Sequence, residues 1–200
     1  MANKKKLTKN RKARLEEKAR KEKQRKRNMI IIAIASVIAL VGIIVGIVLA
    51  VNYEAPAPKY YAEIQIKDVG TVKIDLDSEK APKTVGKFIE LANKGTYNGV
   101  SLYEIANGKL YAGNKEASVA HILGEFDNGL SNKKGVISMA KASVNTVNPA
   151  LFYINLQDNT QNDKEAVEFG TVVSGLDLLE NLTVTAENSP IIEKITIIEK

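Results

Sequence analysis

Few side chains in this 200-residue sequence can do chemistry. There is no cysteine, one histidine, His121, and no arginine beyond Arg27. The missing cysteine removes thiol nucleophiles, thiolate metal sites, disulfides and an acylated cysteine anchor. His121, in the string SVAHILGEF, could titrate near neutral pH. It has no second histidine for a multi-histidine metal site and no nearby partners for a histidine-based triad, so it reads as a strand-edge or surface residue. Asp75, Asp77, Glu79 and Asp127 lack the spacing of a calcium loop and read as solvated carboxylates. No metal and no cofactor is expected.

The elements that must position any site fall into three segments of different composition. Residues 1–28 hold 14 of the 29 lysines and arginines against three of the 23 acidic residues, a balance of +11. The other 172 residues balance at −5, so the pI of 9.3 belongs to a short tail and no nucleic acid is expected as a partner of the folded part. The tail has too few apolar residues to bury a face. Glu16 to Arg20, Glu17 to Lys21 and Glu22 to Lys26 would support a helix there. Attraction to anionic lipid headgroups or to nucleic acid is a functional reading of the tail, and a topology signal is the plainer one.

Met29 to Val51 is an uncharged apolar run, long enough as a helix, at about 1.5 Å per residue, to cross a hydrocarbon core about 30 Å thick. Cations crowd its N-terminal flank, and the first after it is Lys59. The positive-inside rule therefore predicts a single-pass protein of the cell membrane, with residues 1–28 cytoplasmic and everything after Val51 extracytoplasmic. The run exceeds the usual signal-peptide core of about 7 to 15 residues, which favours a retained anchor over a cleaved leader. Residues 52–59, NYEAPAPK, read as a Pro-containing tether, and residues 60–200 as one domain.

Within that domain, AEIQIK and TVKIDL alternate apolar and polar residues around Asp68, Val69 and Gly70, which predicts a hairpin. Pro82 opens a helical stretch with Val85, Phe88, Ile89 and Ala92 on one face and Gly95 as its stop. Strand-like runs follow at Val100 to Ile105, Gly135 to Ala140, Leu151 to Leu156 and Val167 to Val173. A short helix, Leu176 to Leu182, and a last strand, Ile191 to Ile198, complete the pattern. Many short strands with two helices predict a mainly β antiparallel barrel or sandwich whose ends the helices cover.

Several strings, in order, resemble the cyclophilin-type peptidyl-prolyl cis-trans isomerases. They are APKTVGKFIELANKGTYNGV (Ala81 to Val100), GEFDNGL with GVISMA (Gly124 to Leu130 and Gly135 to Ala140), LFYINLQDN (Leu151 to Asn159) and EFGTVVSGLDLLENL (Glu168 to Leu182). The resemblance covers Ile64 to Ile198. It implies a cyclophilin-like closed eight-stranded antiparallel β-barrel with two capping helices, here preceded by a transmembrane helix. It also implies rotation about Xaa-Pro bonds, a step with a barrier of about 18 to 20 kcal/mol, in proline-containing polypeptides or exported proteins.

The resemblance departs where the family's site lies. The family's Phe-His-Arg-Val strand aligns with Leu102, Tyr103, Glu104 and Ile105, which puts Glu104 at the catalytic arginine position. The next stretch aligns with Gly108 to Asn114, where a glutamine has become Ala112 and an aromatic Lys109. The pocket phenylalanine becomes Tyr153, and the pocket's tryptophan-leucine and histidine fall near Gln161, Asn162 and Ala166. The resemblance thus leaves Leu110, Met139, Ala140, Phe152 and Tyr153 as the substrate-binding candidates. Two functions remain open: an isomerase weakened by the lost guanidinium, with Lys109 or Lys115 as substitutes, and a cyclophilin-like module that binds protein or peptide without catalysis.

Overall fold

In YYAEIQI and GTVKIDL every second side chain is apolar, and those side chains share one buried face of a hairpin. β1 (Tyr60–Ile66) and β2 (Gly70–Leu76) pair antiparallel, with Ala62, Ile64, Ile66, Val72, Ile74 and Leu76 facing inward. This computed structural model describes residues 2–51, 57–185 and 188–200. Most of the tether read at 52–59 therefore lies outside the described residues.

The remaining strands are β3 (Val100–Ser101), β4 (Glu104–Ala106), β5 (Lys109–Gly113), β6 (Ile122–Leu123), β7 (Val136–Ser143), β8 (Thr146–Val147), β9 (Leu151–Asn155), β10 (Ala166–Ser174) and β11 (Ile191–Glu199). The main ladder runs β3-β11-β1-β2-β10-β7-β9-β5-β4, with β6 and β8 attached through β7. Its two ends are consecutive in the chain. The stretch from Val100 to Ala106 pairs with β11 through β3 and with β5 through β4, so Leu102 and Tyr103 join the edges of the curled sheet. Leu102 donates its amide to Pro190 and Tyr103 to Tyr111, which divides the single strand expected at Val100 to Ile105 into two. Closure through a chain segment gives the mainly β curled antiparallel sheet expected from the sequence, in eleven strands among the described residues rather than eight because several are only two or three residues long.

α2 (Pro82–Asn93) covers the interior with Val85, Phe88, Leu91 and Ala92. Phe88 sits 5.3 Å from Tyr97, 5.8 Å from Phe152 and 5.2 Å from Phe169, ring centre to ring centre, in tilted and edge-on arrangements that aromatic quadrupoles favour. The N-terminus of α2 is capped from a distance. Glu125 accepts the amides of Lys83 (3.0 Å) and Thr84 (2.9 Å) and the Thr84 hydroxyl (2.8 Å), which pins the long β5–β7 connection to the helix. α3 (Leu176–Glu180) buries Leu179. Every member of the core lies between Ala62 and Ile195, so residues 57–200 carry a complete core of their own.

The other unit is α1 (Ala2–Val51), one helix through both the basic tail and the apolar run. Two of the three expected pairs form along it, Glu17 with Lys21 at 2.6 Å and Glu22 with Lys26 at 3.2 Å. The helix is long and apolar enough to cross a membrane.

Candidate functional site

The site is built on a tight hairpin. Asn107 and Gly108 both have positive φ, 52° and 68°, the geometry of a two-residue turn that matches strand twist. That turn sets Glu104 opposite Tyr111, Ile105 opposite Leu110 and Ala106 opposite Lys109. On its other edge β5 pairs with β9, setting Tyr111 opposite Tyr153 and Lys109 opposite Asn155. Strand alternation then sorts the candidates by face.

Leu110, Ala112, Phe152 and Met139 belong to the apolar interior. The gap that Leu110, Ala112 and Phe152 share with Ile154, Leu179 and neighbouring aliphatics is about 10 Å³, too small for a proline ring. Tyr153 lies on the opposite, outer face of the sheet together with Tyr111, Lys109 and Asn155. Ala140 is exposed on β7, across from the buried Ala166. The structure therefore does not gather the five substrate-binding candidates in one pocket. It places three inside the barrel, and it leaves Tyr153 and Ala140 on the side where Glu104 stands. Gln161 and Asn162 fall in a 3-10 turn, and His121 is exposed just before β6.

Three tyrosines form a row on the outer face. The Tyr103 and Tyr111 ring centres are 6.2 Å apart, and those of Tyr111 and Tyr153 are 5.5 Å apart. Lys115 Nζ lies 3.5 Å from the centre of the Tyr103 ring, and Lys109 Nζ 4.5 Å from that of Tyr153, both within cation–π range. Glu104 is exposed beside them, and among the described residues no lysine or arginine is paired with it. Burial and the Glu104 charge raise the Tyr103 and Tyr111 phenols above their usual range. Burial lowers the Lys109 ammonium, against the attraction of Glu168. Glu104, Lys109 and Lys115 are thus the charged groups bordering the row.

Behind Tyr153 is a buried polar cluster that sequence reading missed. The Asn132 side-chain oxygen accepts the Tyr153 hydroxyl (2.8 Å), the Ser138 hydroxyl (3.1 Å) and the Asn155 amide (3.1 Å). The Asn132 side-chain amide donates to Glu168, and its backbone amide donates to Asp163 at 2.8 Å. Ser131 adds a 2.6 Å bond to Asp163. Although desolvation works against it, Asp163 is held below the usual carboxylate range by these donors. Burial pushes Glu168, 2% exposed, up to about 7, with the Asp163 charge adding to the rise. The network fixes the Tyr153 ring, itself 2% exposed. The one clue in the sequence is Glu168, a carboxylate among apolar neighbours in AVEFG, while Asn132 sits in a polar loop that gives no sign of burial.

Larger hollows occur elsewhere, about 340 Å³ beside Lys59, Asp75 and Thr171 and about 550 Å³ beside Lys67 and Pro190, but neither contains the tyrosine row or Glu104.

Comparison with known proteins bears on the same region. Residues 61–200 match the family described as cyclophilin type peptidyl-prolyl cis-trans isomerase/CLD. Peptidyl-prolyl cis-trans isomerase A of Dickeya dadantii is 33% identical over 132 residues, covering 60% of this chain and 70% of that protein. Peptidyl-prolyl cis-trans isomerase-like 3 of Gallus gallus is 32% identical over 137 residues, covering 64% and 82%. Among solved structures, a cyclophilin-type isomerase of Cryptosporidium parvum superposes with a TM-score of 0.63 at 22% identity, covering 71% of this chain and 99% of that one. At that identity the likeness establishes the fold.

Proposed function

This chain belongs to the cyclophilin-type peptidyl-prolyl cis-trans isomerase family, and from that premise we propose that it is a membrane-anchored member with weak isomerase activity, acting on Xaa-Pro bonds of exported polypeptides outside the cytoplasm. The observation that carries the reading is the hairpin register. It stands Glu104 opposite Tyr111 at the edge of the face that holds Tyr153, in a domain matching the family from residue 61 to residue 200.

Isomerisation needs the prolyl amide to lose resonance as it twists, against a barrier of about 18 to 20 kcal/mol. A cation that hydrogen-bonds at the amide favours the twisted state; a carboxylate there opposes it. Glu104 thus supplies the wrong sign, and the two nearby ammonium groups, Lys109 and Lys115, rest on aromatic rings. A lysine lacks the planar fork of a guanidinium. By analogy with loss of one preorganised donor, the rate falls about 100-fold to 1000-fold. Ala140, exposed on the face where Glu104 stands, offers an apolar contact for the proline ring.

The anchor reading draws on α1 and on the cations that precede its apolar run. The tail's attraction to anionic lipid, up to about 1 kcal/mol per nearby cation, belongs to the same proposal.

A second reading, a module that binds without catalysis, is favoured by the burial of Tyr153 beneath Lys109 with its hydroxyl tied to Asn132. Exchange NMR on an Ala-Pro peptide separates the two, using residues 57–200, which carry the whole core. Faster cis–trans exchange than in buffer supports the isomerase. Localised shifts on Lys109 to Gly113 and Leu151 to Asn155 without faster exchange support the binding module. Neither response rejects both.

A further inference from the structure

The tyrosine row has three rings, and two of them carry ammonium groups of the chain's own. Lys115 lies over Tyr103 and Lys109 over Tyr153. The middle ring, Tyr111, has no ammonium over it among the described residues, although its cross-strand partner is the unpaired, exposed carboxylate of Glu104. Cross-strand partners hold their Cβ atoms about 4.5 to 5.5 Å apart. One cation can therefore touch the Tyr111 face, within about 6 Å of its centre, and still reach the carboxylate.

Resting on the prolyl-peptide reading above, we propose that Glu104 and Tyr111 form a subsite for a lysine or arginine side chain that flanks the proline of the bound polypeptide, so that basic prolyl segments are the preferred ligands. The spacing fits. Ser138 pairs with Tyr153 and Tyr153 with Tyr111, so a proline set against Ala140 lies two strands and two residues, about 12 Å, from Tyr111. An extended peptide advances about 3.3 Å per residue, so the long basic side chain of a residue flanking the proline spans that distance to Tyr111. Charge agrees as well: Lys109 and Lys115 rest on aromatic rings, and among the described residues Glu104 is left without a cation of the chain's own. The carboxylate that cannot polarise a prolyl amide accepts the donors of a basic side chain, which converts a catalytic position into a recognition position.

The test uses residues 57–200 and three labelled peptides that differ only in the residues on both sides of the proline: lysine, glutamine or glutamate. Fluorescence anisotropy is expected to show the lysine peptide binding roughly 5-fold to 20-fold tighter than the glutamine peptide, the combined scale of one exposed ion pair and one cation–π contact. Glutamate should bind weakest, and the spread should narrow at about 0.5 M salt. Glu104→Gln should bring the lysine-to-glutamine ratio to about one, and Glu104→Lys should reverse the order of lysine and glutamate. Exposed position 104 leaves both variants folded, which thermal melting checks. Equal binding of lysine and glutamine peptides by the native domain, or a lysine preference that survives Glu104→Gln, overturns the subsite. Failure of all three peptides to bind removes the prolyl reading itself, and the subsite with it.

Discussion

Glu168 is the residue whose environment is most at odds with its chemistry. It is a carboxylate 2% exposed, pushed by burial up to about 7 and held by the side-chain amide of Asn132. Its pKa is raised on folding, so the stability it contributes is present at acid pH and is lost as pH rises from the ordinary carboxylate value through about 7. Thermal melting of residues 57–200 between pH 5 and pH 8 should therefore show a fall that Glu168→Gln removes; an unchanged fall in the variant would place the titrating group elsewhere. Tyr153→Phe deletes one of three donors to the Asn132 oxygen, and chemical denaturation should register a loss of about 1 kcal/mol. At this scale the sequence was half legible. Alignment picked out position 104 and Tyr153, both on the outer face. It could not show that Leu110, Met139 and Phe152 turn inward, because adjacent residues of a strand take opposite faces and family strings do not carry that parity. Nor could it find Asn132, whose importance comes from groups up to 36 positions away.

Among the elements, the β1–β2 hairpin and α2 were readable because each has one wet and one dry face, and their periodicity survives in the sequence. β5 was not. Its residues Lys109, Leu110, Ala112 and Gly113 are all buried, with the sheet interior on one side and the polar cluster on the other, so the alternation of KLYAG is lost. β3 and β4 read as one strand because the change of partner between Ser101 and Glu104 comes from closing the sheet. Two substitutions test these elements. Glu125→Ala removes three hydrogen bonds from the start of α2 and should cost about 1 to 2 kcal/mol, with faster amide exchange in residues 114–131. Gly113→Ala should cost more, because its φ of 113° is left-handed and the new Cβ would lie 2.2 Å from the Ala150 carbonyl oxygen. A melting temperature that tolerates this alanine would contradict the β5–β9 register.

At the scale of the whole molecule, the proposed anchor helix precedes a cyclophilin-type domain that carries a complete core of its own. The cysteine-free sequence permits a direct topology test. Val144→Cys, 80% exposed, should react with a membrane-impermeant maleimide on intact cells, while Thr8→Cys should react only after lysis. The reverse pattern would invert the proposed orientation. We propose that this domain isomerises prolyl bonds weakly because Glu104 stands where the family resemblance puts an arginine. The most direct measurement is the cis–trans exchange rate of an Ala-Pro peptide with residues 57–200, native and Glu104→Arg, at equal concentration. Acceleration by the native domain and a gain of about 100-fold or more in the variant are expected. A Glu104→Arg domain no faster than the native one would contradict it.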